Sequence, residues 1–170
     1  MAKTVIVGGV AGGASCAARL RRLDEQAEIV LLERGPYVSF ANCGLPYHVG
    51  GVIPERESLI VQTPEILHER FNLDVRVQNE AMAIDRKAKT VVVRDETGRE
   101  YRESYDTLVL ATGSSPLRPP IPGIEAPRIK TLWSVPDADE IKELLTTVAV
   151  KLVVVVGGGF IGLEMADNLH

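Results

Sequence analysis

This sequence has few cysteines and no long apolar run. The chain of 170 residues contains two cysteines, Cys16 and Cys43, too few for the disulfide framework of a small secreted domain. No apolar run approaches the roughly 20 residues of a membrane-spanning helix, and the first residues lack the pattern of a signal peptide. We therefore expect a cytoplasmic protein with no membrane span, whose thiols are free rather than joined as a Cys16–Cys43 disulfide.

The sequence also lacks a strong charge of either sign. It carries 19 Lys and Arg against 23 Asp and Glu, a formal net charge of −4 at pH 7. This balance gives no overall attraction to nucleic acid, and we expect no nucleic-acid partner and no metal site. The length suits one domain with its own core, or one domain and part of another.

What the chain does have is a glycine-rich turn near its start. Thr4–Val7 is a short β-branched run typical of a buried parallel strand. Gly8–Gly13 then leads into a helix that we predict to end near Asp24, and a second strand, Glu28–Leu32, is followed by Glu33. This order is typical of a dinucleotide-binding unit, in which glycines and helix N–H groups meet a pyrophosphate and the acid accepts ribose hydroxyls.

One position departs from the usual G-x-G-x-x-G pattern of such turns. The three pattern positions are occupied by Gly8, Val10 and Gly13, so the middle glycine is missing. A tight strand-to-helix turn that only packing requires therefore stays an alternative at this point.

A cysteine lies in a polar loop punctuated by glycine and proline, Ser39–His48. We predict that Cys43 sits at or near the N-terminus of a short helix whose first turn contains Pro46. That place would favour the reactive thiolate, whereas the alternative is a buried, inert cysteine. Cys16, in the middle of the first helix among small residues, is predicted to be a packing residue.

The middle of the chain predicts a helix, a β-meander, a further buried strand and a proline-rich connector before another helix. The predicted elements are a helix at Thr63–Asn72, strands at Val75–Val77, Ala81–Ile84, Thr90–Arg94 and Glu100–Glu103, a buried strand at Leu108–Gly113, and a helix at Pro136–Thr147.

The glycine motif then returns near the end of the chain. Lys151–Val156 predicts a buried strand, Gly157–Gly162 fits G-x-G-x-x-G in full, and Glu164–His170 begins a helix. One strand and one helix cannot bury their own apolar faces, so we expect a piece of a longer protein. The predicted domains are residues 1–115, a linker and helix at 116–150, and the start of a second dinucleotide domain at 151–170.

Together these motifs resemble the pyridine nucleotide–disulfide oxidoreductases, and within them the coenzyme A-disulfide reductase group. The markers are Gly8–Gly13 with Glu33, Ser39–Tyr47 around Cys43, Asp106–Gly113, and Gly157–Gly162 with Glu164. The resemblance implies an α/β fold: a Rossmann-like FAD-binding domain with a parallel sheet and a β-meander insertion, plus the start of a Rossmann-like NAD(P)-binding domain. It also implies electron transfer from a nicotinamide through a flavin to sulfur, in a homodimer.

A single redox cysteine selects the subgroup. Relatives with two redox cysteines place the second one five positions on, where this chain has His48. The resemblance therefore implies a mixed disulfide between Cys43 and coenzyme A, with coenzyme A disulfide or persulfide as substrate. An NADH oxidase or peroxidase that cycles a Cys43 sulfenate is the competing activity, although its usual turn histidine is replaced by Ala11. A third hypothesis is that this chain is an FAD-binding fragment of such an enzyme and is inactive alone.

The resemblance also implies a set of site residues. Cys43 would be the nucleophile, and coenzyme A would contact Ser15, Arg19, Arg22, Ser39, Asn42 and Phe71. FAD would contact Gly8, Gly9, Val10, Ala11, Gly12, Gly13, Glu33, Ala81, Ala111, Thr112 and Gly113, and NAD(P)H would contact Gly157, Gly159, Phe160, Ile161, Gly162 and Glu164. Ser15, Arg19 and Arg22 share one helix stripe, which suits phosphates, although a solvated helix face has the same pattern.

Overall fold

A computed structural model describes residues 2–170. The chain divides into two compact units, the first formed by the residues up to Phe40 with Ile60–Gly113, and the second by Ala41–Leu59 with Ser114–His170. The helices and strands are β1 (Lys3–Val7), α1 (Ala11–Leu23), β2 (Glu28–Leu32), α2 (Leu45–Val49), α3 (Pro64–Phe71), β3 (Asp74–Arg76), β4 (Glu80–Asp85), β5 (Thr90–Arg94), β6 (Glu100–Ser104), β7 (Thr107–Leu110), α4 (Val135–Thr147) and α5 (Phe160–Asn168). Short 3-10 turns lie at Asn42–Gly44 and Arg56–Leu59. The predicted domain boundaries after residues 115 and 150 stay predictions.

A four-stranded parallel sheet is the centre of the first unit. Its strand order is β3-β2-β1-β7, and Val5 of β1 pairs with Val30 of β2 and with Leu108 of β7. Helix α1 connects β1 to its parallel neighbour β2, which is the crossover that a parallel pair requires. The predicted parallel sheet is confirmed.

One face of this sheet packs against helices. Alternate residues of β1 and β2 point to the same side, so Ile6, Ile29 and Leu31 share a buried cluster. Ala17 of α1 and Leu67 of α3 belong to the same cluster. Each large aliphatic side chain contributes roughly 1.5–3 kcal/mol on full burial. This cluster therefore holds α1 against the sheet.

The opposite face of the sheet packs against an antiparallel meander. Strands β4, β5 and β6 pair in that order. Val91 and Val93 of β5 are buried with Val5, Val30 and Leu32 of the parallel sheet. The predicted meander is thus confirmed, and it closes the second face of the sheet.

The predicted helices at Thr63–Asn72 and Pro136–Thr147 form as α3 and α4, and each has a side-chain cap at its start. The Thr63 hydroxyl accepts the Ile66 N–H at 3.3 Å, and Pro64 opens α3. Asn72 ends α3 in the left-handed conformation, with a φ of 47°. Ser134 and Asp137 form a capping box at the start of α4.

In the second unit, helix α2 contacts both α4 and α5. Leu45 and Val49 of α2 are buried, as are Val135 of α4 and Met165 of α5. A Cβ atom at Gly50 would lie 2.3 Å from the Asn168 carbonyl oxygen. Only glycine therefore permits this close approach between the ends of α2 and α5.

Of the two strands predicted to be buried in the later part of the chain, one does not form and the other forms only in part. Lys151–Val156 forms no strand, and its side chains are exposed, including Val154 at 74% and Val156 at 95%. A strand needs a neighbour for its N–H and C=O groups, and no strand of residues 2–170 pairs with this segment. The strand predicted at Leu108–Gly113 forms only as β7, where Leu110 is 60% exposed because β7 lies at a sheet edge.

Candidate functional site

The first glycine turn joins β1 to α1. Gly8 has a φ of +99°, and a Cβ there would lie 2.2 Å from the Ala111 carbonyl oxygen. A Cβ at Gly13 would lie 1.7 Å from the Gly8 carbonyl oxygen. Gly12 is exposed, and a Cβ there would meet nothing nearer than Ala111 at 3.7 Å. Gly8 and Gly13 thus close the turn tightly, while Val10, Ala11 and Gly12 line its accessible rim.

The carboxylate of Glu33 organises the rim of this turn. It is 8% exposed and follows β2 directly. One of its oxygens accepts the Gly9 N–H at 2.7 Å and the other accepts the Gly35 N–H at 2.7 Å. Each carboxylate oxygen keeps a further lone pair, so Glu33 fits the role of accepting hydroxyl hydrogens from a ligand held at the turn.

The other predicted cofactor residues of this unit lie on neighbouring elements. The Ala111 N–H donates to the Val7 carbonyl at 2.8 Å, which places Ala111 beside the glycine turn. Thr112 and Gly113 follow in an exposed segment. Ala81 is half-buried in β4, at a register shift, and packs against the cluster formed by the sheet and the meander.

The predicted coenzyme A residues of α1 lie on its exposed face. Ser15, Arg19 and Arg22 are all exposed. The Arg22 guanidinium carbon lies 5.7 Å from the centre of the Phe71 ring, within cation–π range. The structure therefore brings together Arg22 and Phe71, which are 49 positions apart in sequence.

Ser39 is held next to the first glycine turn. Its N–H donates to the Gly9 carbonyl at 3.0 Å, and its own carbonyl accepts the N–H groups of Val61 and Gln62 at 2.9 and 3.2 Å. Ser39 is half-buried and has a φ of 49°. This unusual conformation for a residue other than glycine is maintained by backbone hydrogen bonds on both sides.

Sequence reasoning missed Arg21, which is 9% exposed. Its guanidinium donates to the carbonyls of Phe71 and Asn72 at 2.7 and 2.9 Å, and to those of Glu25 and Asp24 at 2.7 and 3.3 Å. The available signal was its spacing. Ala14, Ala17 and Arg21 follow one another at three and four residues, which places a charged residue on the buried face of α1.

Residues 41–48 of the cysteine loop belong to the second unit. Cys43 is an exposed free thiol in the 3-10 turn that leads into α2, and Asn42 beside it is exposed as well. The alternative that Cys43 is buried is therefore wrong, and its reactivity stays a prediction. Cys16 is a half-buried free thiol, so the prediction of two free cysteines is confirmed.

His48 is a packed residue. It is 2% exposed, and its Nδ1 lies 2.8 Å from the Ile53 carbonyl oxygen. Because a carbonyl can only accept, Nδ1 carries the hydrogen and Nε2 is left as an acceptor. Lys142 of α4 reaches Nε2 at 3.4 Å, so His48 ties the segment after Cys43 to α4.

The second glycine turn repeats the geometry of the first. Gly157 has a φ of +111°, and a Cβ at Gly162 would lie 2.1 Å from the Gly157 carbonyl oxygen. Gly159 directly precedes α5, where Phe160 and Ile161 are exposed and Glu164 is half-buried. In both turns the glycine at the first position has a positive φ, and the glycine at the sixth position lies against its carbonyl. This holds whether the third position is Val10 or Gly159.

Residues 2–170 offer neither a cluster of metal ligands nor a membrane-spanning helix. No group of three or more His, Cys, Asp or Glu side chains is placed to hold a metal ion. No helix in this range is long and apolar enough to cross a membrane.

The chain is similar to known proteins over its full length. The sequence profile of the pyridine nucleotide-disulphide oxidoreductases matches residues 2–170, and the chain belongs to this family. It is 39% identical over 171 residues to the coenzyme A disulfide reductase of Staphylococcus haemolyticus, an alignment that covers 100% of this chain and 38% of that protein. The chain thus spans 38% of this relative's length.

Solved structures agree with this assignment. The reduced CoADR-RHD of Bacillus anthracis is 53% identical, with a TM-score of 0.96 over 99% of this chain and 30% of that one. An NAD-dependent persulfide reductase from A. fulgidus is 41% identical, with a TM-score of 0.94 over 98% of this chain and 32% of that one. A water-forming NADH oxidase from Lactobacillus brevis is 32% identical, with a TM-score of 0.93 over 99% of this chain and 37% of that one. The predicted family and the predicted α/β dinucleotide-binding fold are confirmed.

Proposed function

We propose that the full-length protein is a FAD-dependent enzyme that uses NAD(P)H to reduce coenzyme A disulfide, or a coenzyme A persulfide, through Cys43. The observation that carries this proposal is an exposed single thiol, Cys43, in a chain matched over its whole length by coenzyme A disulfide reductases. We place the enzyme in the cytoplasm as a homodimer.

The first glycine turn fits FAD. Gly8 and Gly13 close the turn tightly, Gly12 leaves space at its rim, and Glu33 lies beside it with lone pairs available. The residues that would hold FAD are Gly8–Gly13, Glu33, Ala81, Ala111, Thr112 and Gly113. When bound, FAD would carry two electrons between nicotinamide and sulfur. The second turn, Gly157–Gly162 with Glu164, would hold NAD(P)H by the same geometry.

Cys43 supplies the sulfur chemistry in this proposal. Its thiolate attacks one sulfur of coenzyme A disulfide, so that a Cys43–coenzyme A disulfide forms and one coenzyme A thiolate leaves. Two electrons from NAD(P)H and one proton then return this mixed disulfide to a Cys43 thiolate and a coenzyme A thiol. The exposure of Cys43 supports the step, because the incoming sulfur must reach it from outside.

The substrate's phosphates would bind along the exposed face of α1. Arg19 and Arg22 supply charge for phosphates there, and Ser15 adds a hydroxyl one turn before Arg19. Phe71 offers an aromatic face next to Arg22. Asn42 and Ser39 would orient the part of the ligand that carries the reacting sulfur.

Replacing Cys43 tests the nucleophile. We expect Cys43→Ser in the full-length protein to lower turnover of coenzyme A disulfide on the order of a thousandfold, because serine cannot form the mixed disulfide. The assay follows NAD(P)H oxidation in the presence of coenzyme A disulfide. The matched control is Cys16→Ser, a half-buried thiol in α1, which we expect to retain turnover. Full activity of the Cys43 variant would remove the proposed mechanism.

A second activity has one observation in its favour. The similarity to a water-forming NADH oxidase suits a cycle in which Cys43 is oxidised to a sulfenate by oxygen or peroxide. Steady consumption of oxygen or peroxide with NADH, undiminished without coenzyme A, would favour this activity over disulfide reduction.

The 170-residue polypeptide by itself is proposed to be inactive, because it spans 38% of the length of a relative with the proposed activity. Absorbance of the purified polypeptide tests whether it still binds flavin. Visible flavin bands after gel filtration would show a bound cofactor, and their absence would show an apoprotein.

A further inference from the structure

Arg21 is a buried arginine whose partners are all main-chain carbonyls. Within residues 2–170 its guanidinium donates to four of them, belonging to Phe71, Asn72, Glu25 and Asp24. A charged group that is 9% exposed is retained in a fold only when its donors are satisfied. The fork of the guanidinium spreads these donors in a plane, an arrangement that a lysine ammonium cannot reproduce.

The four carbonyls belong to two helix ends. Phe71 is the last residue of α3 and Asn72 caps it, while Asp24 caps α1 and Glu25 follows. The last carbonyls of a helix have no partner within the helix, and they carry its partial negative charge. One buried cation therefore joins the C-terminal ends of α1 and α3.

This junction fixes the relative position of two side chains, the exposed Arg22 and the half-buried Phe71. Arg22 is the next residue of α1, and its guanidinium lies over the Phe71 ring at 5.7 Å. Arg21 binds the carbonyl of Phe71 itself at 2.7 Å. The main chain of Phe71 is thus held directly to α1, and the relative position of Arg22 and Phe71 follows from Arg21.

We propose that Arg21 is a positioning residue that keeps Arg22 and Phe71 preformed as a recognition surface for the phosphate-bearing end of the sulfur substrate. This inference depends on the proposed function, in which that substrate is a coenzyme A disulfide. Without the guanidinium, the ends of α1 and α3 separate and the ligand has to order Arg22 and Phe71 on binding. Affinity for the substrate then falls, whereas the chemistry at Cys43 is untouched.

Steady-state kinetics of the full-length protein test this inference. We expect Arg21→Lys and Arg21→Met each to raise KM for coenzyme A disulfide on the order of tenfold, with kcat and the KM for NAD(P)H within about twofold of wild type. Two variants are used because they remove different properties of Arg21. Arg21→Met removes the buried cation, whereas Arg21→Lys keeps the charge and loses only the planar arrangement of guanidinium donors. The Arg21→Met, Phe71→Ala double variant should bind substrate no more weakly than Phe71→Ala alone, because Arg21 acts through Phe71.

The matched control is Arg76→Met. Arg76 is also a multiply bonded arginine of the first unit, with partners Asp74, Tyr101 and Glu103. Its loss should lower stability without changing KM for coenzyme A disulfide. The proposed role of Arg21 would be overturned if Arg21→Lys kept the wild-type KM for coenzyme A disulfide. It would also be overturned if the KM for coenzyme A disulfide and the KM for NAD(P)H rose equally. Either result would leave the proposed function intact. Failure of the wild-type enzyme to reduce coenzyme A disulfide would overturn the proposed function together with this inference.

Discussion

At the scale of single residues, Glu103 is a buried carboxylate that forms two ion pairs. It is 8% exposed and pairs with Lys3 and Arg76, which belong to β1 and β3. Lys3 also pairs with Glu28 of β2. Burial alone would raise the pKa of Glu103, but hydrogen bonds from Lys3 and Arg76 outweigh it and lower the pKa below its ordinary value of 4.5. The same bond to Glu103 raises the pKa of Lys3.

Glu103→Gln should destabilise the protein in a pH-dependent manner. At pH 7 the loss is expected to be about 1–3 kcal/mol, because the half-buried donors of Lys3 and Arg76 lose a charged acceptor. A carboxyl whose folded pKa is lowered stabilises the fold above its unfolded pKa, and this contribution disappears as the pH falls through the folded value. The difference between wild type and variant should therefore be constant near neutrality and shrink below about pH 4.5.

Chemical denaturation at a series of pH values measures this difference. Glu100→Gln is the matched control, because Glu100 lies on the same strand in an exposed pair with Arg94. Exposed pairs contribute about 0–1 kcal/mol, so the control should lose little at any pH. A Glu103→Gln difference that is unchanged at low pH would contradict the assigned ion pairs.

At the scale of elements, helix ends were more predictable than strand burial. Thr63 and Pro64 marked the start of α3, and the structure places the cap there. Caps depend on residues within one turn of each other, so sequence order is enough to identify them. Strand pairing depends on a neighbour elsewhere in the chain, and this is why the prediction failed at Lys151–Val156.

Ser134→Ala should weaken the start of α4 by about 1 kcal/mol. Ser134 accepts the Asp137 N–H, and its own N–H donates to the Asp137 carboxylate at 2.8 Å. Thr146→Ala is the control within the same helix, because its hydroxyl only bonds back to carbonyls of α4 and alanine is the better helix former. Thermal unfolding compares the two variants, and equal stability of Ser134→Ala and wild type would show that the capping box contributes nothing.

At the scale of the whole molecule, the chain forms two compact units, and the second contains an exposed apolar segment before its last helix. Leu152 is 81% exposed, Val154 74% and Val156 95%. The segment has the composition of a buried strand but lacks pairing partners within residues 2–170. Unpaired apolar strand sequences of this kind promote intermolecular association.

The 170-residue polypeptide should therefore self-associate as its concentration rises. We expect the Val154→Lys, Val156→Lys double variant to shift the mass distribution toward monomer, because charge at a strand edge opposes pairing between chains. Static light scattering over a concentration series is the measurement. Leu117→Lys, at an 89% exposed position outside the segment, is the control. Equal reduction of association by both variants would refute a specific role for residues 151–156.

The sequence by itself determined those features that depend on near neighbours. The following features can each be read within a few positions: short apolar strands, the turns Gly8–Gly13 and Gly157–Gly162, the cap at Thr63, and the single redox cysteine of the family pattern. These features were sufficient for the family and for the α/β fold with its meander.

Only the tertiary structure decided which distant residues meet. The ion pair between Lys3 and Glu103 joins strands about 100 positions apart, and the carbonyls bound by Arg21 lie up to 51 positions away. Arg22 meets Phe71 for the same reason. Such contacts follow from how strands and helices pack once the chain is compact, and no local pattern records them. Exposure of residues 151–156 was likewise decided by the absence of a pairing strand within the described chain, because apolar composition makes a strand possible and only a neighbour makes it form.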